Sequence, residues 1–353
     1  MLDKLGITIP LIQAPMAGVA TPLLAAEVSN AGALGSIGVG ATDATGARLM
    51  IDELHQRTNR AFNVNFFAHE AGKADARREA AWLGRLAPLF AEFGAEPPKQ
   101  LKTIYKSFKH DPELLPLMLE KKPAVVSFHF GLPSEEAVRA LKQANITLLA
   151  SATSLDEALL IKNAGFDAVI AQGIEAGGHR GIFDPNGADD GLSAMTLTQI
   201  LTRELDLPVI TAGGIMNGAG IAAALNYGAV AAQMGTAFIA CPESAADDAY
   251  RIALQGDGAH HTVLTPIISG RPARSLANHY TALQTMMSDL ELPAYPIAYD
   301  AAKALHEAAK AKDESGFGAQ WAGQGAPLSR AMPAAELVAL LAQELESFYP
   351  VKP

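Results

Sequence analysis

Residues 207–242, LPVITAGGIMNGAGIAAALNYGAVAAQMGTAFIACP, carry no charged side chain. The run is long enough to cross a bilayer, yet Pro208, Gly213, Gly214, Asn217, Gly218, Gly220, Asn226 and Gly228 interrupt it. The spacing of those breakers predicts strand, turn, helix and strand, the pattern of a unit buried inside an α/β protein and not of a membrane span. Both apolar strands run straight into bare backbone, one into Gly213-Gly214 and the other, through Gln233-Met234, into Gly235-Thr236. A glycine at such an exit either makes a tight turn or opens backbone N–H groups to a bound phosphate. Two exits in succession favour the phosphate, held at Gly214, Gly235 and Thr236.

The same rhythm extends toward the N-terminus. Apolar runs at 9–14, 34–38, 61–67, 124–130, 147–150, 168–171, 209–212 and 230–234 make eight candidate strands, with helix-type segments such as 22–31, 134–144, 154–164 and 218–227 between them. Nearly continuous apolar strands argue for parallel pairing with helices on both faces. Eight units favour an α/β fold closed as a (β/α)8 TIM barrel of about 250 residues over an open sheet. The chain has 353 residues, which leaves roughly 100 beyond such a barrel. They fall in an insertion at 68–122 and in a helix-rich tail, with amphipathic segments near 245–255, 301–312 and 334–348 and no further strand-helix alternation. The expected organisation is a barrel over 1–236 with a helix-rich substrate-capping region over 237–353 packed on it.

With 49% hydrophobic and 18% charged residues the chain can bury a large core. A net charge of -10 offers no basic stripe to a phosphate backbone and excludes a nucleic-acid partner. The single Cys241 can form neither an intrachain disulfide nor a thiolate metal cage, and no apolar signal core precedes Pro10; both point to the cytoplasm. Monomer and homodimer stay equally open.

In a parallel barrel the strand C-termini converge on one face and build the site there. The exits present residues 13–18, Asn65, Ser127 with His129, Ser151, Gln172, Gly213-Gly214 and residues 233–236, almost all amide, hydroxyl or glycine. A face this poor in carboxylates is ill suited to hydrolysis by paired acids or to holding a metal. A cofactor must supply the reactivity, and abundant amides suit the flat, N–H- and C=O-rich ring of FMN, with its phosphate where the seventh and eighth strands end. The loop after the sixth strand, Gly173-Ile174-Glu175-Ala176-Gly177-Gly178-His179-Arg180-Gly181, brings one imidazole close to such a ring, able to remove a carbon-bound proton or to hold an anion. His129, flanked by Phe128 and Phe130, is as well suited to a pocket wall as to chemistry.

Four blocks, residues 13–22, 126–131, 172–183 and 234–244, together with Trp321-Ala322-Gly323-Gln324-Gly325, are similar to the class I nitronate monooxygenases. The resemblance spans nearly the whole chain. It implies an FMN enzyme that oxidises alkyl nitronates, notably propionate 3-nitronate, with O2 and without a nicotinamide, to an aldehyde or semialdehyde plus nitrite and nitrate. Carried over by position, the flavin contacts fall on Asn65, Gln172, Gly177, Gly214, Gln233, Met234, Gly235 and Thr236. The active-site histidine falls on His179, and the substrate pocket on Tyr105, Tyr250, Tyr295, Tyr299 and Lys303. An anionic substrate needs just such phenolic and cationic donors from outside a neutral rim, and Tyr299 and Lys303 share a face if their segment is helical. The expected course is one-electron transfer from the nitronate to the flavin, with O2 consuming the radical pair. The rival within flavin barrels is an NAD(P)H-dependent reductase of quinones or enoyl thioesters; outside them, a barrel binding a phosphorylated metabolite.

Overall fold

The computed structural model describes residues 1–348. Its eight-stranded parallel sheet contains β1 (Leu11–Gln13), β2 (Gly35–Gly38), β3 (Phe62–Phe67), β4 (Val125–His129), β5 (Thr147–Ala152) and β6 (Ala168–Gln172). After a two-residue strand β7 (Gly178–His179), which belongs elsewhere, come β8 (Val209–Ala212) and β9 (Ala231–Met234). The order β1-β9-β8-β6-β5-β4-β3-β2 closes on itself: Ile12 bridges Leu34, the Leu34 N–H donates to Leu11 O at 3.0 Å, and the Gln13 N–H to Leu34 O at 2.9 Å. This is the closed (β/α)8 barrel the strand count predicts, and all eight expected strands are in it.

Period-two alternation explains how apolar strands carry a polar mouth. On β4, Val126 and Phe128 face outward into the core under the helices, while Val125 faces the barrel interior with Ile12, Leu149, Ala168, Ile210 and Ala231. One step further along each strand the inward positions turn polar: Ser127, Ser151, Gln172 and Gln233. The Asn63 amide donates to Ser127 Oγ at 2.9 Å, and Ser127 Oγ donates to Asn65 Oδ1 at 2.8 Å, so this polar layer is cross-linked inside the barrel.

The helices are α1 (Pro22–Asn30), α2 (Ala44–Arg57), α3 (Ala76–Glu92), α4 (Leu114–Lys121), α5 (Glu135–Gln143), α6 (Leu155–Asn163), α7 (Ala194–Glu204), α8 (Gly218–Asn226), α9 (Asp248–Gln255), α10 (His279–Met286), α11 (Ile297–Lys310) and α12 (Ala334–Phe348). Side-chain caps start most of them; Asn217 Oδ1, for example, accepts the Gly220 N–H at 2.9 Å at the head of α8. The insertion and the tail each divide between ring and cap. In the insertion, α4 packs between α2 and α5 in the barrel's helical ring, while Trp82, Leu86 and Phe90 of α3 pack on Tyr280, Ala301 and Leu305 of the tail. In the tail, Leu337, Val338 and Leu341 of α12 return to the barrel and pack with Leu24, Val28 and Ile221 of α1 and α8.

The tail, expected to be helix-rich without further strand-helix alternation, also contains two short strands. Residues of β10 (Thr262–Thr265) pair antiparallel with β11 (Ala273–Leu276), and β11 pairs with β7. In this sheet β7 is Gly178-His179 and β11 carries Arg274 and Ser275, so no apolar run announces it. No helix among the described residues is long and apolar enough to cross a membrane.

Candidate active site

The strand exits and the cap enclose an inner cavity. Its lining contains no Asp, Glu, Lys or Arg among the described residues; the titratable groups are His129, His179, Tyr105, Tyr250, Tyr295 and Tyr299. Asn65, Gln172, Gly177, Gly214, Gln233, Met234, Gly235 and Thr236 line the barrel side. Met234 buries its side chain in the outer core, so its backbone is what faces the site. Lys303 lies one step away, on an adjoining cavity that shares Tyr105, Tyr250, Tyr299 and Trp321 with the first. The structure therefore gathers the expected flavin and substrate contacts around two adjoining cavities.

At the β8 exit, Gly213 and Gly214 have φ of 121° and 70°, values L side chains seldom adopt. None of the N–H groups of Gly214, Gly235 and Thr236 is spent on a backbone turn, which leaves three donors at two adjacent strand ends. A strap at residues 321–325 lies over this corner. Thr236 Oγ1 accepts the Gly323 N–H at 3.0 Å, and Glu175 O accepts the Gln324 N–H at 2.9 Å. Gly177 is pressed against the strap: a Cβ there would stand 2.5 Å from Gly323 N and 2.6 Å from Ala322 C.

The amides are disposed unequally. Gln172 is tied down, its Nε2 donating to His179 O at 3.0 Å and its Oε1 accepting from the Gly181 N–H. Asn65 has its carbonyl taken by Ser127, which leaves its N–H groups for the cavity. Gln233 Oε1 is buried with no partner, a cost of about 1–3 kcal/mol unless a bound group donates to it. Free backbone donors at the β8 and β9 exits, a free amide donor and an orphaned acceptor form a donor and acceptor set that an isoalloxazine with a phosphate tail would match, so these residues fit a group such as FMN.

His179 lies on β7, held by register with Ala273 of β11 and by the Arg180 N–H on Pro272 O at 2.9 Å. Its ring stacks near Trp321, Tyr295 and Tyr299, with centroids 5.0, 5.4 and 6.3 Å away. Burial, reinforced by His129 and Arg271, pushes His179 down to about 3. His129 is also pushed down, to about 4, by burial. Its Nε2 lies 3.1 Å from His179 O, and because a carbonyl only accepts, that nitrogen carries the proton. Burial pushes Tyr105 up to about 12 and raises Tyr250, Tyr295 and Tyr299 as well. All four phenols are therefore donors at neutral pH. The Tyr295 hydroxyl has no partner, whereas that of Tyr250 donates to Trp321 O. Lys303 Nζ stands 5.3 Å from the Tyr105 ring centre and 5.6 Å from that of Tyr299, on α11, one turn from Tyr299.

Sequence reasoning missed Ser269 and Arg271. Ser269 Oγ is 2.9 Å from His179 Nε2. The Arg271 guanidinium is buried, 4.3 Å from the Phe130 ring centre, and one of its amino groups donates to Ile182 O. The available signal was two arginines, Arg271 and Arg274, inside the otherwise uncharged stretch 262–277, since arginine is rarely buried without a specific task.

A barrel whose capped mouth offers neutral amides, phenols and two imidazoles is an oxidoreductase scaffold in which a flat cofactor does the redox work. The comparisons make this specific. A family model described as nitronate monooxygenase matches residues 1–344. Nitronate monooxygenase of Paraburkholderia phytofirmans is 58% identical over 98% of this chain and 94% of its own length. That of Pseudomonas aeruginosa is 55% identical over 97% of each. The crystal structure of nitroalkane oxidase from Streptomyces ansochromogenes superposes with a TM-score of 0.88 at 37% identity, covering 98% of both chains. The chain belongs to the nitronate monooxygenase family, whose members are flavin enzymes that oxidise nitronates.

Proposed function

We propose that this enzyme holds FMN at the barrel mouth and oxidises small alkyl nitronates with O2, propionate 3-nitronate foremost, yielding an aldehyde or semialdehyde with nitrite and nitrate. The observation that carries this reading is an inner cavity lined, among the described residues, by no carboxylate and roofed by four protonated phenols, with Lys303 on the adjoining cavity. Such a lining favours an anion and penalises nothing about its delocalised charge. Gly214, Gly235 and Thr236 would hold the phosphate, and Asn65 and Gln233 the ring edge, with Gly177 letting the strap close over it. When bound, FMN supplies the electron acceptor that these side chains lack.

The protein's own part is placement. Tyr295, whose hydroxyl is unspent, and Tyr105 and Tyr299 donate to the nitronate oxygens, while Lys303 attracts a carboxylate tail toward the outer cavity. His129 and His179 are both neutral cavity imidazoles at working pH, and His179, set among Trp321, Tyr295 and Tyr299, is the one placed to accept the proton that a neutral nitroalkane must lose and a nitronate does not carry. The parts of insertion and tail other than α4 and α12 act together as the substrate cap. A cytoplasmic setting accords with the lone Cys241, buried and pushed up to about 12 by that burial. Two measurements on the purified yellow protein decide the matter: oxygen uptake with propionate 3-nitronate in the absence of nicotinamide, and anaerobic mixing with NADH or NADPH. Uptake without bleaching is expected; rapid bleaching by a pyridine nucleotide and no uptake would replace this function with a reductase.

A further inference from the structure

We infer that Ser269 is a positioning residue that holds His179 as the Nε2–H tautomer, so that His179 presents a bare Nδ1, an acceptor and not a donor, to the cavity. The reason lies in hydrogen-bond accounting. Ser269 is fully buried and its hydroxyl has one proton and two lone pairs. Three groups surround its oxygen: His179 Nε2 at 2.9 Å, the Arg271 carbonyl at 3.1 Å and the Arg271 N–H at 3.3 Å. The carbonyl can only accept and the N–H can only donate. If Ser269 gives its proton to the carbonyl, its lone pairs receive the Arg271 N–H and a proton on His179 Nε2, and all four groups are satisfied. If the proton went to His179 Nε2 instead, the Arg271 carbonyl would lose its partner in a buried turn, at a cost of about 1–3 kcal/mol. A neutral imidazole has one ring proton, so protonation at Nε2 leaves Nδ1 bare.

No protein group uses Nδ1 among the described residues, and the ring lines the inner cavity between Trp321, Tyr295 and Tyr299. The consequence deepens the function proposed above and rests on it for its chemical meaning. An anionic nitronate gains no hydrogen bond from a bare nitrogen, so its oxygens must be held by the tyrosine hydroxyls and Lys303. His179 is reserved for a substrate that still has a proton to give: the carbon-bound proton moves to Nδ1, the C–H electron pair passes into the nitro group, and the substrate becomes the nitronate. Arg271, one residue beyond the Gly270 turn from Ser269, adds a buried positive charge nearby that disfavours the doubly protonated ring at rest, so a proton taken up at Nδ1 is held only beside the nitronate anion it generates. The backbone of the same turn thus fixes where the proton sits while its side chain limits how many there are.

The test is long-range proton–nitrogen NMR of the holoenzyme carrying 15N-histidine, with the His179 signals identified by their loss in His179→Asn. The expected native spectrum shows a protonated Nε2 and a bare Nδ1; a protonated Nδ1 in the native enzyme overturns the inference by itself. In Ser269→Ala the His179 pattern should shift to a mixture of tautomers while His129, whose proton is set by a carbonyl, stays unchanged. Turnover of a neutral nitroalkane should fall about tenfold in Ser269→Ala with KM for the nitronate unaltered; equal losses on both substrates would mark Ser269 as merely structural. A native spectrum with a bare Nδ1 in an enzyme that consumes no nitronate would leave this inference standing and defeat the proposed function instead.

Discussion

The two walls of the cavity are built on opposite plans. The barrel wall comes from strand exits whose donors are backbone N–H groups and amides, with Gly214, Gly235 and Thr236 drawn from a single charge-free block. The cap wall is assembled from Tyr105 in the insertion, Tyr250 on α9, Tyr295 and Tyr299 at and on α11, and Trp321 in the strap. Backbone donors are placed by the sheet and cannot be removed by side-chain change, only obstructed; phenols are each placed by a different element and can be deleted one at a time. The barrel wall should therefore answer to substitutions in an all-or-none way, the cap wall in graded steps.

The largest effect tests the first half of that contrast. In Gly177→Ala the new Cβ has nowhere to go between Gly323 N and Ala322 C, so the strap must lift from the phosphate corner. The variant should retain under about a tenth of the flavin per mole of protein by absorbance, a loss corresponding to roughly 1.4 kcal/mol or more. Full flavin content would show that the strap plays no part in closing this wall.

Next comes the residue between the walls. His179→Asn should lower turnover of neutral nitroalkanes by about 100-fold or more and leave nitronate turnover within a few-fold, since a nitronate arrives without the proton. Equal losses would mean that His179 belongs with the anion-binding cap after all. Smaller again is Lys303→Met, which removes a charge from the outer cavity. KM for propionate 3-nitronate should rise about tenfold at low salt with kcat unchanged, and the difference should shrink as ionic strength increases. A salt-independent rise would point to packing in place of attraction.

The mildest prediction concerns stability. His69, His129 and His179 are pushed down to about 4, 4 and 3, burial being the largest cause in each. Between those values and the ordinary 6.5 the unfolded chain binds protons that the folded one does not, so stability falls as pH drops below about 6.5 and levels off only beneath the folded-state values. Thermal unfolding should move to lower temperature between pH 7 and 5, and His69→Gln should flatten that slope by roughly a third. An unchanged slope would mean that the cap around His69 opens to water well before the barrel unfolds.

How much of this was legible in the chain differs between the walls for the same reason that their responses differ. All eight barrel strands could be read from apolar runs, and the strand exits with them, because a parallel strand buried on both faces writes its position into consecutive residues. Tyr299 and Lys303 could be paired because one helical turn separates them. Ser269 and Arg271 could not be linked to His179, ninety residues upstream of Ser269, because β7 and β11, with His179, Arg274 and Ser275, carry no apolar run that would betray the sheet joining them.

Local sequence determined the barrel, its neutral mouth and the glycine-lined corner, since apolar periodicity and backbone freedom act over a few residues and need no distant partner. Only the tertiary structure decided which side chains stand opposite that mouth, that α12 returns to complete the ring, and which nitrogen of His179 is bare. Those outcomes hang on contacts between segments far apart in the chain, where a hydroxyl proton has one place to go only once every neighbour is in position.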